Sequence, residues 1–281
     1  MFIYRIIKDY AIITQYIGTS FKEELIIPSS FSFEGKNYPV QAIGKKVFSN
    51  LAFDRIHIPN TVKVISKEAF SFCHVLEGIV IPSSVELICD LAFAFSYIGS
   101  ISFEENSKLR VLGSQTFYCS SIKDIKLPDS LEILGNCVFD SCYNLEELYI
   151  PKNVYKIGDA LVNECTNLKT IAVDKDNKWY DSRNNCNGII EKDRDVLIAA
   201  TKNVSIPNDV KIIGKYSLLD IDGLKEITIP KSVEIIENSA FGCYDCLKLI
   251  IEGSFRLMFN NKSKYIEGPQ IIVIIRGEWI T

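Results

Sequence analysis

The sequence predicts an α/β-type repeat solenoid, predominantly β, with about nine or ten coils. Three observations predict it. The segment Leu145-Glu-Glu-Leu-Tyr-Ile-Pro151 returns as Leu224-Lys-Glu-Ile-Thr-Ile-Pro230, as Ile122-Lys-Asp-Ile-Lys-Leu-Pro128 and as Leu76-Glu-Gly-Ile-Val-Ile-Pro82. Ile-Pro or Leu-Pro prolines fall at 28, 59, 82, 128, 151, 207 and 230, separated by 31, 23, 46, 23, 56 and 23 residues; a fixed period of about 20 to 50 residues marks a solenoid. Apolar residues alternate with a period of two, and no stretch carries the period of a long amphipathic helix.

Residues 1–27 read as capping strands. Ile3, Ile6 and Ile7 precede the turn pair Lys8-Asp9, and Ala11, Ile12 and Ile13 follow it, which predicts a hairpin. A solenoid needs its first coil covered, because an open end exposes core side chains and unpaired backbone. Coils then occupy residues 28–255. The interval of 46 holds two periods, so a prolineless coil lies between Pro82 and Pro128, with Phe103 in place of the strand-end isoleucine. The interval of 56 holds one regular coil, ending at Ile171-Ala-Val173, and a longer one over residues 174–206.

Each coil repeats one inward pattern. From Pro128 it is Leu131, Leu134, Val138-Phe139, Cys142, Leu145, Leu148 and Ile150. From Pro59 it is Val62, Ile65, Ala69-Phe70, Cys73, Leu76, Ile79 and Ile81, and from Pro230 it is Val233, Ile236, Ala240-Phe241 and Leu247, with Ile250 following. Leu148 and Ile150 alternate as in a strand with one buried face. The proline cannot donate to a ladder and ends that strand. Val-x-x-Ile then lays a second, shorter edge, and Ala-Phe inserts a small residue and a ring from a tight turn or single 3₁₀ turn. In the long coil, Asn187-Gly-Ile-Ile190 and Val196-Leu-Ile198 flank Glu191-Lys-Asp-Arg-Asp195, which predicts a β-hairpin insertion protruding from the coil edge. Residues 256–281 read as a C-terminal cap: a polar loop at Asn260–Lys264, a turn at Gly268-Pro269, and a strand at Ile271–Ile275. The whole forms one structural domain.

These residues resemble the leucine-rich repeat family, within it the BspA-like class with treponemal-type 23-residue units. Pro59 to Ile81 fits Ile-Pro-x-x-Val-x-x-Ile-x-x-x-Ala-Phe-x-x-Cys-x-x-Leu-x-x-Ile nearly residue for residue, and the resemblance covers residues 10 to 255. It implies a right-handed superhelix, and it implies adhesion or host-protein binding at a microbial surface.

Composition excludes several other classes. A net charge of −4 supplies no basic stripe to displace counterions from nucleic acid, and it disfavours an anionic membrane surface. No run reaches the ~18 to 20 apolar residues of a membrane span. Arg5, Lys8 and Asp9 interrupt the apolar region that a signal peptide needs, so no secretion signal is expected in the chain as written.

Catalytic and metal chemistry finds no constellation. Of nine cysteines, Cys73, Cys119, Cys142 and Cys165 sit at or near one repeat position; stacked side chains run parallel, so a column of buried thiols is expected rather than bridges. Cys243-Tyr-Asp-Cys246 lacks the second pair of a zinc site. His57 is expected on the outward face and His74 in a turn, neither with a nucleophile at motif spacing. Glu146-Glu147 are neighbours on a strand and face opposite sides, and no phosphate-cradling glycine loop exists. Asn203-Val-Ser205 and Asn261-Lys-Ser263 are formal glycosylation sequons. No cofactor and no metal is expected.

What remains is surface. One outward residue per coil should form a stripe down the concave wall: His57, Val80, Ser102, Lys126, Tyr149, Ala172, Ser205, Thr228 and Ile251. His57, Lys126, Tyr149 and Thr228 are the candidate partner contacts there. Trp179, Tyr180, Lys192 and Arg194 are the candidates on the hairpin insertion. The expected function is a non-catalytic protein-binding module, monomeric, with a protein partner and no nucleic acid or membrane insertion. An intracellular scaffold is the alternative reading, and an enzyme a remote one.

Overall fold

Isoleucine-proline punctuation every 23 residues folds the chain into a predominantly β solenoid of about nine turns with almost no helix. The structure is a computed structural model that describes residues 1–18, 21–75, 77–219, 221–242, 247–259, 262–266, 268, 270–275 and 278–280. Leu76, Cys243, Cys246 and Asn261 fall outside the described residues, so the single Cys-x-x-Cys and the second sequon have no structural account.

Three sides make each coil. The main wall holds the strands that end at the prolines. Phe21–Ile26, Ala52–His57, Ile79–Ile81 and Ile101–Phe103 run parallel. Farther along come Glu147–Ile150 with Thr170–Val173, then Glu226–Ile229 with Leu247–Ile251. The second wall is a stack of short parallel rungs: Lys36–Ile43, Val64–Ile65, Leu87–Ile88, Val111–Leu112, Ile133–Leu134 and Lys156–Ile157. Ile43, Ile65, Ile88, Leu112 and Leu134 are each fully buried on that stack.

The third side is built from turns with two left-handed residues per coil. Lys46, Glu68, Leu91, Gln115 and Cys137 take positive φ, and so do Asn50, Phe72, Phe95, Cys119 and Ser141 four residues later. Left-handed backbone at a non-glycine residue costs about 1 to 3 kcal/mol unless its surroundings hold it. Here the next coil holds it. The N–H groups of Glu68, Phe70 and Phe72 donate to the carbonyls of Asp90, Ala92 and Ala94, and those of Leu91, Phe93 and Phe95 to Ser114, Thr116 and Tyr118. Helix is excluded because these N–H groups point along the solenoid axis instead of back into their own turn.

The turns also deliver the rings. Phe48, Phe70, Phe93, Phe117 and Phe139 stack with centroids 5.1, 5.3, 5.6 and 5.7 Å apart and planes within 17° of parallel. Coils repeat at about the strand spacing of ~4.8 Å, which is why an in-register phenylalanine lands in the offset-stacked range. At the N-terminal end the hairpin Phe2–Ile7 and Tyr10–Tyr16, turning at Lys8 with φ 54, closes this column. Phe2 and Tyr16 lie 6.4 and 5.6 Å from the Phe48 ring.

Four elements differ from the sequence expectation. Ile122–Pro128 buries Ile122, Ile125 and Leu127 yet forms no strand, so the main wall breaks there. The alternation survives without the ladder because burial, not pairing, sets it. The insertion does not protrude. Gly188–Glu191 and Val196–Ala200 pair antiparallel, and both faces are buried. Ile189 and Ala199 pack on one core cluster, while Ile190 and Leu197 pack on a second one. The hairpin is a septum across the core, and Val196–Ala200 continues the second wall into Ile212–Ile213 and Ile235–Ile236. The solenoid also runs past 255, since Phe255–Phe259 adds a parallel rung to Ile235–Ile236. Lys262–Ile266 is a strand on that rung, not a loop. Gln270–Ile275 then lies antiparallel on Leu247–Ile251.

Phe139 is fully buried in the ring column, so Phe139→Ala should lower unfolding stability by about 3 to 5 kcal/mol. Urea denaturation measures this, and a loss below about 1 kcal/mol would contradict the column's role.

Candidate functional site: the main wall and its flanks

The side chains between the inward positions of the main wall stand outward, because neighbouring strand residues face opposite sides. His57, Val80, Ser102, Lys126, Tyr149, Ala172, Ser205 and Thr228 are exposed. Strand register sets Ser102 beside Val80 and Tyr149 beside Ala172. Ile251 is a correction, being 2% exposed. Thr228 pairs with Ile250, so Ile250 holds the stripe position and Ile251 faces the core beside Ile229. The 23-residue count places Ile250 inward, whereas the strand Leu247–Ile251 alternates from Leu247 and puts Leu249 and Ile251 there. Sequence reading also missed Ile26, which pairs with His57 and is 60% exposed. The signal was present: Ile26 precedes Pro28 by two residues, as His57 precedes Pro59.

The stripe is apolar and aromatic at intervals. Ile26, Val80 and Tyr149 each keep about half their surface in solvent. Around them runs a row of charges whose sign alternates from coil to coil. Glu24 meets His57 Nε2 at 2.8 Å, Arg55 meets Glu77 at 3.2 Å, Glu146 lies between Lys123 and Lys169, and Lys248 meets Glu226 at 2.8 Å. The Lys169 and Lys123 ammonium groups hold the Glu146 carboxyl below its usual range. Exposed pairs of this kind contribute little stability, but they fix the polar frame of the wall. The Tyr149 hydroxyl donates to Asp174 Oδ2 at 2.8 Å, and that bond pushes the phenol up to about 12.

Where the wall breaks beside the septum, a cleft of about 470 Å³ opens. Ser205, Asn208, Glu226, Thr228 and Glu252 line it. A continuous wall was expected at this point. Ser205 instead donates its N–H to Cys186, on the approach to the hairpin, so it makes no ladder bond to a neighbouring wall strand.

The hairpin candidates divide. Trp179 is 43% exposed. Tyr180 is a correction: it is 6% exposed, and its hydroxyl accepts from Ile157 N–H at 3.1 Å, so it is withdrawn from any surface. The Lys192 ammonium donates to the Asn177 carbonyl, and Arg194 pairs with Glu191 and Glu237. Asn177, 1% exposed, fastens the insertion. Its amide nitrogen donates to Pro151 and Val154 carbonyls at 2.9 and 3.0 Å, and its oxygen accepts from Trp179 and Tyr180 N–H at 2.9 Å. Arg183 bridges Asp181, Asp195 and Asp209, which tie the insertion to the following coil.

Cysteines serve packing. Cys73, Cys142 and Cys165 each donate Sγ–H to the carbonyl of the ring residue one coil earlier, Phe48, Phe117 and Phe139, at 2.8, 3.0 and 2.9 Å. Ser96 and Ser120 hold the same repeat position, so the site wants a small buried donor. Cys119 is the αL residue just before that position. Among the described residues no group of three or more potential metal ligands converges, and the described cysteines are free.

A profile described as "BspA type Leucine rich repeat region" matches in six copies over residues 41–176 and 198–266. The chain is a leucine-rich repeat solenoid, and it belongs to this BspA-type family. Solved structures share the fold. The pneumococcal vaccine antigen PcpA aligns at TM-score 0.59 and 19% identity, covering 83% of this chain and 64% of its own. A leucine-rich cell surface protein of Faecalibacterium prausnitzii aligns at 0.55 and 22%, covering 89% and 74%. A leucine-rich repeat protein of Bacteroides ovatus aligns at 0.56 and 23%, covering 92% and 66%. The chain thus spans less than two thirds of the first of these. No curated protein sequence matches.

Asn177→Ala leaves the Val154 carbonyl and two N–H groups of the septum joint without their partner, while Pro151 O keeps the Val154 N–H; it should cost about 2 kcal/mol or more in thermal or urea unfolding, and a neutral effect would refute the fastening role. Burial pushes the Cys73 and Cys142 thiols up to about 12 from 9.0. The folded state therefore favours the neutral thiol: its contribution is complete below pH 9 and is lost as pH rises from 9 towards 12. Cys142→Ser should flatten part of that alkaline decline in pH-dependent urea midpoints, and an identical slope in wild type and variant would oppose it.

Proposed function

We propose that this chain is a non-catalytic protein-binding module that uses the main wall as its contact surface and is displayed at a microbial cell surface. The observation that carries this is the in-register stripe of half-exposed apolar side chains, Ile26, Val80 and Tyr149, framed by paired charges. Interface centres favour aromatic and aliphatic anchors inside a polar frame, and a wall with one outward residue per coil presents several anchors at fixed spacing. The wall is a better contact surface than the hairpin, whose Lys192 and Arg194 are engaged within the fold. Surface display is supported by the descriptions of similar folds as a vaccine antigen and a cell surface protein.

Free thiols that serve as hydrogen-bond donors in the core fit a reducing compartment, and they favour an intracellular scaffold as the second reading. Protease shaving of intact cells separates the two: loss of the chain while a cytosolic marker survives supports display, and full protection until lysis supports the scaffold. For the contact itself, a photo-crosslinking residue at Val80 or Tyr149 should yield one protein adduct that the same probe at Tyr118 does not. Tyr149→Ala should weaken binding of that protein about tenfold or more, the usual size of an interface anchor. Equal adducts from both faces would sink the wall assignment.

A further inference from the structure

Away from the main wall, the residue immediately before each second-wall rung forms another outward column. On three successive coils these residues are Arg110, Glu132 and Tyr155, and Trp179, just before the short strand Tyr180–Asp181, follows beside Tyr155. The Glu132 and Tyr155 N–H groups donate to the preceding coil's Arg110 and Glu132 carbonyls at 2.9 Å, which fixes the column's spacing. Its two halves differ in chemistry. Arg110 Nε and Nη2 each donate to the Glu132 carboxylate at 2.8 Å, a bidentate lock that leaves three of the five guanidinium N–H donors free for another molecule. The Tyr155 and Trp179 rings lie 5.8 Å apart at 55°, each 43% exposed.

A second row runs alongside. Ser130 donates its hydroxyl to Leu109 O, and Asn153 donates its amide to Asp129 O, both at 2.8 Å. Ser130, its one donor committed, offers an acceptor oxygen, and Asn153 offers its amide oxygen and its second N–H. The two rows border an open groove of about 590 Å³. It crosses three coil steps of ~4.8 Å, or about 14 Å.

We propose that this groove binds a short oligosaccharide, with pyranose C–H faces laid on Tyr155 and Trp179 and hydroxyls bonded to Arg110, Glu132, Ser130 and Asn153. A pyranose has an apolar face and a rim of neutral donors and acceptors. The groove matches both, since aromatic faces carry negative charge density and the polar groups are held rigid by backbone or ion-pair bonds. Other ligands fit poorly. Nucleic acid needs cations along a strand; Glu132 neutralises Arg110, and Lys108 is the other cation among the described lining residues of the groove. An added peptide strand needs an open sheet edge; Val111–Leu112 and Ile133–Leu134 are paired on both sides, and at the far edge of Lys156–Ile157 the Tyr180 hydroxyl takes the Ile157 N–H. This site is separate from the main wall and does not rest on the protein-binding reading.

The test uses the full chain on an array of defined oligosaccharides, followed by titration of the tightest array member with tryptophan fluorescence and saturation-transfer NMR. Saturable binding of at least one oligosaccharide is expected. Trp179→Ala and Tyr155→Ala should each weaken it about tenfold or more, while Trp179→Phe keeps a ring face and most of the affinity. Tyr149→Ala on the main wall should leave it unchanged, and matching melting temperatures would show that the variants fold. Failure of every arrayed glycan overturns the proposal. So does sugar affinity that survives both alanine substitutions, or binding of single-stranded oligonucleotide or proline-rich peptide instead of sugar.

Discussion

Hydrogen bonding from each coil to the next is the constraint on which the molecule depends. The turns place two residues per coil in left-handed backbone, an arrangement that would be strained in isolation. It persists because the alternating N–H groups, such as those of Phe70 and Phe72, find carbonyls in the following coil. No coil can complete its turns alone, and cooperativity between neighbours follows directly. Rigid coil spacing then stacks the phenylalanines, and the stacked rings leave carbonyls such as Phe48 and Phe117 that Cys73 and Cys142 satisfy. Serine fills the same small buried position in other coils, where Ser96 bonds the Phe93 carbonyl of its own turn and Ser120 contacts Cys142 Sγ.

Much of this was legible in the residues. Proline spacing located the main wall, and the positions of Leu131, Leu134, Phe139 and Leu148 identified the core, because side-chain period and burial obey simple geometry. What escaped had a different cause in each case. Ile251 was placed one residue off because a repeat count carries register across the coil, whereas the strand itself alternates from Leu247. Ile122–Pro128 kept its inward pattern without pairing, a distinction that hydrophobic alternation cannot carry. Tyr180 was read as a surface ring beside Trp179, but Asn177 accepts its N–H and its hydroxyl turns inward to the Ile157 N–H.

The insertion was the least legible part. Its charged tip resembles a solvated hairpin, and only the apolar residues on both of its faces, Ile189 with Ala199 and Ile190 with Leu197, show that it is a septum. A strand with two buried faces reads as a continuous apolar run, and Val196-Leu-Ile-Ala-Ala200 is such a run. By entering the core, the hairpin closes one cluster and opens another, and it displaces the main-wall ladder at Ser205. The cleft beside Thr228 is the geometric consequence of that displacement.

The same repeat arithmetic governs the surface. Any outward position recurs once per coil, so substitutions that the core ignores accumulate into columns at fixed spacing. Such a column can be a chain of alternating charges, as around Glu146, or a pair of rings, as at Tyr155 and Trp179. The core tolerates this freedom because its hydrogen bonds run through backbone and small buried donors, leaving the outward side chains to pair with one another. A solenoid of this kind therefore separates stability from recognition: the inward positions repeat because every coil needs its neighbour, and the outward positions differ because no neighbour needs them.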